Sequence, residues 1–342
     1  MKSIRSGLLS MATAILMAAP AMAADLPIKF TLDWKAQGPH SWFYVAKEKG
    51  YFKEAGLDVT IDQGEGSAAA INRVMSGAYD AGFGDINALI QAAATAPDEA
   101  PVMVYLVYNK APFAIISKKD GPVAGLKDLE GKTVAAPQGS ATFKLFPALA
   151  DANGFDPSKV TVLNAAQNLI EQMLIRDEAQ AIAQFGATSY MNFIAMGLDP
   201  QKDFNWFFYS DNGVDVYSNG VVVSKKLIKE HPDAVKGLVG AINKAIMDVA
   251  ADPQVGIETL MKIEPLTDAK LESQRMQYTL DNQMRTAETA EIGLGDLKTE
   301  RLSSALKTIG QVYELKNVPT AEAVFDASYL PPKESRMLPA AK

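Results

Sequence analysis

The 342-residue chain contains no cysteine. That excludes disulfides, thiolate nucleophiles, cysteine-ligated metals and a lipid thioether. Histidine is almost as scarce: His40 and His231 are the only two, and their separation rules out a paired-histidine metal site on one helix. His231 precedes Pro232 with no serine elbow or acid at a recognisable spacing, so a nucleophilic triad is not indicated. The segments "GEGSAA" and "GFGDIN" lack the third glycine of a dinucleotide fingerprint, and no phosphate-loop lysine is present. No catalytic residue, metal or cofactor is expected.

Long apolar runs are missing too. The one at the start, Leu8 to Ala19, follows Lys2 and Arg5 and precedes "PAMA", a small-x-small pattern ending at Ala23. It reads as a secretory signal over residues 1–23, cleaved on export to a periplasm-like compartment. No later run approaches the roughly 20 apolar residues of a spanning helix, so no direct membrane insertion is expected. Without Lys2 and Arg5, the 33 basic residues become 31 against 40 acidic ones, a net charge of −9. A surface of that sign repels nucleic acid and anionic lipid.

What is present is an ordinary apolar content of 48% and an alternation of short β-like runs with helical ones, the pattern of an α/β protein. Ile28 to Trp34 reads as a strand. Ser41 to Lys49 reads as a helix stopped by Gly50, Leu57 to Ile61 as a strand, and Ser67 as the cap of an alanine-rich helix ending before Gly77. Ala81 to Gly84 is again a strand, with a helix from Ile86. The same order returns about 100 residues later, from Thr133 to Ala136 through "PQGSATFKLF" and "NGFDPSKVTVL" to "AAQNLIEQMLIRDEAQAIAQFG". Gln167 then stands opposite Ser67, and Gln184 opposite Gly84. This echo predicts two similar lobes.

Beyond Val214 the chain turns helical, over His231 to Ala250 and Asp268 to Thr286. Before that, Gly220 to Val223 reads as a strand returning to the first lobe, with Ser224 capping the next helix. Crossings near Asn109 to Pro112 and near Ser210 to Tyr217 would form a two-segment hinge. The expected division is residues 24–112 with 218–342 in lobe 1, and 113–217 in lobe 2.

Ligands of open α/β sheets bind beyond the carboxyl ends of the strands, so the loops after the strands carry the candidates. In the first lobe these are Asp33, Trp34, Gln37, His40, Glu65, Gly66, Ser67, Asp85 and Asn87. In the second they are Gln138, Ser140 and Gln184, with Thr142 beside them; Asp215 and Tyr217 stand at the second crossing and Tyr108 at the first. Trp34 either stacks on a flat ligand or closes the end of the sheet. Ser67, Ser140 and Asp85 are each read equally as helix caps. Asp33, Glu65 and Asp85 cluster on strand-end loops that hold no arginine. A carboxylate left unpaired there opposes an anionic ligand and favours one bearing N–H groups, such as a pyrimidine-like heterocycle.

The segments "LDW", "FYVAKEKGYFKEAGLDV" and "SGAYDAGFGD" resemble the substrate-binding proteins of ABC importers in the family that includes thiamine-pyrimidine-precursor, nitrate, taurine and alkanesulfonate binders. The resemblance spans most of the mature chain, and its most specific part, Ala46 to Val59, lies in a structural helix and strand. It implies a two-lobed periplasmic-binding-protein fold of type II, two α/β domains joined by a two-segment hinge. It also implies a monomeric receptor that delivers a small-molecule ligand to an inner-membrane permease complex. Two alternatives go with it: a receptor for an alkanesulfonate, taurine or nitrate-type anion, and a secreted enzyme related to the yeast-type pyrimidine synthase. That enzyme relies on a cysteine-rich motif, which a cysteine-free chain cannot contain. A further departure is "RDEAQAIAQF", where Asp177 and Gln180 replace the family's usual Gly and Asp ahead of the strand.

Overall fold

A computed structural model describes residues 24–137 and 140–340. The expected signal segment, Gln138 and Gly139 lie outside the described residues. Among the described residues, ten strands form two five-stranded sheets. The first holds β1 (Leu26–Thr31), β2 (Leu57–Asp62), β3 (Ala81–Asp85), β4 (Val102–Leu106) and, from much later in the chain, β10 (Asn219–Val223). The second holds β5 (Phe113–Lys118), β6 (Thr133–Pro137), β7 (Thr161–Ala165), β8 (Ala181–Phe185) and β9 (Phe204–Phe208).

The spatial orders are β2-β1-β3-β10-β4 and β7-β6-β8-β5-β9. In each sheet three parallel strands are followed in space by one antiparallel strand, the first that the chain forms after a crossing: β10 lies antiparallel to β3, and β5 to β8. The repeat read from the sequence is thus a repeat of topology. The chain passes between sheets twice, between Leu106 and Phe113 and between Phe208 and Asn219.

The departures at Asp177 and Gln180 are explained by the same repeat. In the first sheet Gly77 turns the chain at φ 74°, and Asp80 then clasps β1: its carboxylate accepts from Lys29 N at 2.9 Å and its own N–H donates to Lys29 O at 2.9 Å. In the second, Asp177 makes the turn at φ 60°. Gln180 accepts from Thr133 N through Oε1 at 3.0 Å and donates its backbone N–H to Thr133 O at 2.9 Å. Aspartate tolerates the left-handed region better than most side chains, and an amide oxygen accepts where a carboxylate did. The register of β8 is kept.

Helices cover these sheets with the spacing the sequence shows. Helix Pro232–Ala251 buries Val235, Leu238, Val239, Ile242, Ile246 and Val249, a stripe at intervals of three and four. It packs into the cluster that holds Ile28 and Phe30 of β1, Trp42 and Phe43. Ser224 caps its helix as expected, accepting from Leu227 N at 3.1 Å. The helix expected to run from Asp268 to Thr286 is shorter: Ala269–Thr279 is α-helical, and Leu280–Met284 widens into a π turn. Its buried face is polar in part, with Glu272, Arg275, Met276 and Thr279. It also packs across to helix Gly186–Ala195 of the other sheet, where Tyr278 and Tyr190 meet at 4.9 Å between ring centroids. Among the described residues no helix is long and apolar enough to cross a membrane.

Candidate functional site

The parallel strands end at Thr31, Asp62 and Asp85 in one sheet and at Pro137, Ala165 and Phe185 in the other. Between these ends lies a cavity of about 620 Å³, lined from both sheets and from the C-terminal helices. A volume in this range holds a ligand of drug-like size.

Trp34 is half-buried on its wall and held by the loop opposite. Gly64 N–H donates to Trp34 O at 3.1 Å and Gly66 N–H to Asp33 O at 2.6 Å. A Cβ on Gly64 would lie 1.9 Å from Leu32 O, so only glycine permits this approach. Gly66, at φ 113°, occupies the cap position of helix Ser67–Met75. The expected N-cap at Ser67 is therefore displaced by one residue: Ser67 opens the helix and its hydroxyl stands 3.3 Å from Asn219 Nδ2. Ser140 does cap its helix, accepting from Phe143 N at 3.2 Å, and also lines the cavity.

The carboxylates need the largest revision. Asp33 spends one oxygen on His40 Nε2 at 2.9 Å and the other on Asn219 Nδ2 at 2.7 Å. Gln37 N–H donates to His40 Nδ1 at 3.2 Å, which leaves Nε2 as the nitrogen that donates to Asp33. Both ring nitrogens of His40 are thereby used within the protein. Asp85 accepts from Asn87 N at 2.7 Å and Ala88 N at 3.3 Å through Oδ1, and from Ser218 Oγ at 2.7 Å through Oδ2. Full burial pushes its carboxyl up to about 6, against the downward pull of those hydrogen bonds. Glu65 has a largely solvent-exposed side chain at the cavity mouth, 3.9 Å from Arg73.

Asp33, Trp34, Gln37, His40, Glu65, Gly66, Ser67, Asp85, Ser140 and Gln184 are brought together on the lining. Asn87, Asp215 and Tyr217 are not. Asn87 is fully buried behind the strand end and donates to Tyr217 O at 2.9 Å. Asp215 and Tyr217 are engaged by Arg301 of helix Thr299–Val312, whose guanidinium donates to Asp215 Oδ1 at 2.6 Å and lies 4.0 Å over the Tyr217 ring. Arg301 also donates to Asn109 O at 3.0 Å and Asn109 Oδ1 at 3.1 Å, and Tyr217 OH to Glu288 at 2.5 Å. One side chain therefore ties the two crossing segments together.

The sequence reading missed Arg275, Tyr313, Thr279 and Gln283, which reach the cavity from elements outside the strand-end loops. Arg275 is 4% exposed and its Nε donates to both oxygens of Glu272 at 3.1 Å. Glu272 Oε2 in turn accepts from Gly38 N at 2.6 Å, where a Cβ would sit 2.4 Å from Glu272 O. A glycine in the strand-end turn and an Arg/Glu pair three residues apart were the available signals. The buried Tyr108 hydroxyl is held well above the ordinary tyrosine range by burial first and Asp33 second, with Arg275 opposing.

A family model described as NMT1/THI5 like matches residues 37–255. The riboflavin-binding protein RibY of Chloroflexus aurantiacus is 24% identical over 304 residues, covering 84% of this chain and 83% of that protein. A 4-amino-5-hydroxymethyl-2-methylpyrimidine phosphate synthase of Schizosaccharomyces pombe is 22% identical over 233 residues, 66% of each chain. Among solved structures, the alkanesulfonate-binding protein SsuA from Xanthomonas axonopodis pv. citri bound to MOPS has a TM-score of 0.66 at 15% identity, over 89% of this chain and all of that one. This likeness is one of fold, the two-domain periplasmic-binding-protein architecture. With the family match spanning most of the chain and the fold agreeing with it, the protein belongs to the NMT1/THI5-like family.

Proposed function

We propose that this protein is the solute receptor of an ABC importer, exported to a periplasm-like compartment. In this reading it captures a flat heteroaromatic molecule between its two domains, residues 24–112 with 218–342 and residues 113–217, and hands it unaltered to a membrane permease. The observation that carries this reading is the cavity itself: about 620 Å³, placed at the strand ends of both sheets, with Trp34, Tyr108, Phe185 and Tyr313 among its lining residues. Aromatic rings and amide side chains suit a planar ring with polar edges. The named ligand of the Chloroflexus relative, riboflavin, has that chemistry.

The receptor reading is also favoured over catalysis by how the titratable groups are used. Asp33 and His40 satisfy one another, and Asp85 is consumed by a helix cap, so these groups do not offer an acid and a base facing an open position. Closure of the two domains would follow binding because contacts to the second domain complete the site only when both walls meet.

A second reading, an anion receptor, draws on Arg275 and Lys144, both on the lining. Isothermal titration separates the two. Saturable binding of riboflavin or a substituted pyrimidine, with no heat from taurine or nitrate, is the expected result; the reverse pattern refutes the heteroaromatic assignment.

A further inference from the structure

The cavity does not stop at the strand ends. Helix Ile86–Thr95 turns Leu89, Ile90 and Ala93 into the core, while Ala88, Gln91, Ala92 and Thr95, on its opposite face, line the cavity. From Ala88 to Thr95 that wall runs for about 10 Å at the helical rise per residue. Helix Ser67–Met75 packs beside it and lines the cavity over a similar length, since Ser67 and Met75, its first and last residues, both reach the lining. Asp85, at the head of the first of these helices, marks the level of the strand ends. A flat ring held beside Trp34 and Tyr108 at that level leaves the helix-walled channel to whatever the ring carries.

The charges on the lining say what that substituent ends in. Arg275 is neutralised by Glu272, whose two oxygens both lie 3.1 Å from its Nε. Lys144, reaching in from the second domain, is different: it is only partly buried, so its ammonium is open to the cavity, and it makes no ion pair among the described residues. Its Nζ stands 5.8 Å from the centre of the Tyr313 ring, and Tyr313 lies near Gln91, which sets the ammonium beside the channel. An accessible cation without a carboxylate partner favours an anionic group on the ligand. We infer that the occupant is a heteroaromatic ring bearing an acyclic side chain that lies along helix Ile86–Thr95 and ends in an anion, a phosphate or carboxylate, bound by Lys144. The inference rests on the heteroaromatic reading above and adds to it the chain and its charge.

Two probe series, each built on one ring, test it by titration calorimetry of residues 24–342: lumiflavin, riboflavin and flavin mononucleotide, and thymine, thymidine and thymidine monophosphate. Affinity should rise along at least one series, the phosphorylated member binding at least roughly tenfold tighter than the chainless one, the size of a single charge-assisted hydrogen bond. Lys144→Met keeps the length of the side chain without its charge. It should remove most of the gain due to the phosphate and leave the affinity of the chainless member as it was. Ala92→Leu fills part of the channel and should weaken both chain-bearing members while sparing the chainless one, which keeps the test available if the lysine variant does not fold. A chainless member that binds as tightly as its phosphorylated partner in both series, or a Lys144→Met variant with undiminished affinity for the phosphorylated member, would overturn the inference while leaving a heteroaromatic receptor standing. No ring bound in either series, with or without binding of an alkanesulfonate, would instead overturn the reading on which it rests.

Discussion

Replacing Asp85 by asparagine isolates the energetic consequence of burying a carboxyl at the cavity wall. Asp85 is fully enclosed, and its ordinary value of 3.8 is raised to about 6 because lost hydration outweighs the bonds from Ser218, Asn87 and Ala88. The folded protein therefore holds this proton more tightly than the unfolded chain does. Its contribution to stability is fully present below about pH 4, declines as the pH rises through 6, and is flat above. A difference of roughly two units corresponds to about 3 kcal/mol across that window. Asparagine does not titrate. Its Oδ1 can still accept from Asn87 N, and its amide can donate to Ser218 Oγ, whose proton is then free for Asn219 Oδ1 at 2.9 Å. Urea unfolding at pH steps from 4 to 7.5 should show the stability of the variant relative to the parent rising by about 2 kcal/mol between pH 4 and 6.5, then levelling. A difference that is constant with pH, or that falls as pH rises, would refute the assignment of a raised carboxyl at this position.

Other perturbations follow from the same geometry. Trp34→Ala should weaken binding of a flat ligand by about 5- to 150-fold, the range of aromatic stacking, with little change in melting temperature because the ring is half-buried; an unchanged Kd in titration calorimetry contradicts the stacking role. Gly64→Ala forces a Cβ against Leu32 O and should cost about 1–3 kcal/mol in denaturant unfolding, with a shift in Trp34 fluorescence as the loop moves; neutral behaviour would mean the loop is not packed as described. Tyr217→Phe removes the hydrogen bond to Glu288 at the crossing and should cost about 1–2 kcal/mol while leaving ligand affinity unchanged. Loss of affinity at full stability would return Tyr217 to the ligand site.

The scaffold was legible because its signals are local. Strand alternation, Gly50 and Gly77 as helix stops, and Ser140, Ser224 and Asp85 as caps each act within a few residues, and the near-100-residue echo appears as two sheets of matching order. Even the departure at Asp177 and Gln180 resolves locally, by substitutions that keep the turn and the clasp. The site was only half legible. Strand-end position brought Trp34, Gln37, Ser140 and Gln184 to the cavity, but it said nothing of how far Asp215 and Tyr217 would be drawn off by Arg301, which lies more than eighty residues downstream. Arg275 escaped for the same reason. Its helix carries a polar stripe that looks solvent-facing until Gly38 and helix Gly186–Ala195 are packed against it.

Native mass spectrometry of residues 24–342, equilibrated with a mixture of flavins, pyrimidines and alkanesulfonates, confronts the proposed role most directly. One intact heteroaromatic molecule per chain, released with unaltered mass on denaturation and retained less by the Trp34→Ala variant, is the result expected of a receptor. Retention of an alkanesulfonate alone, or release of a chemically converted product, would contradict it.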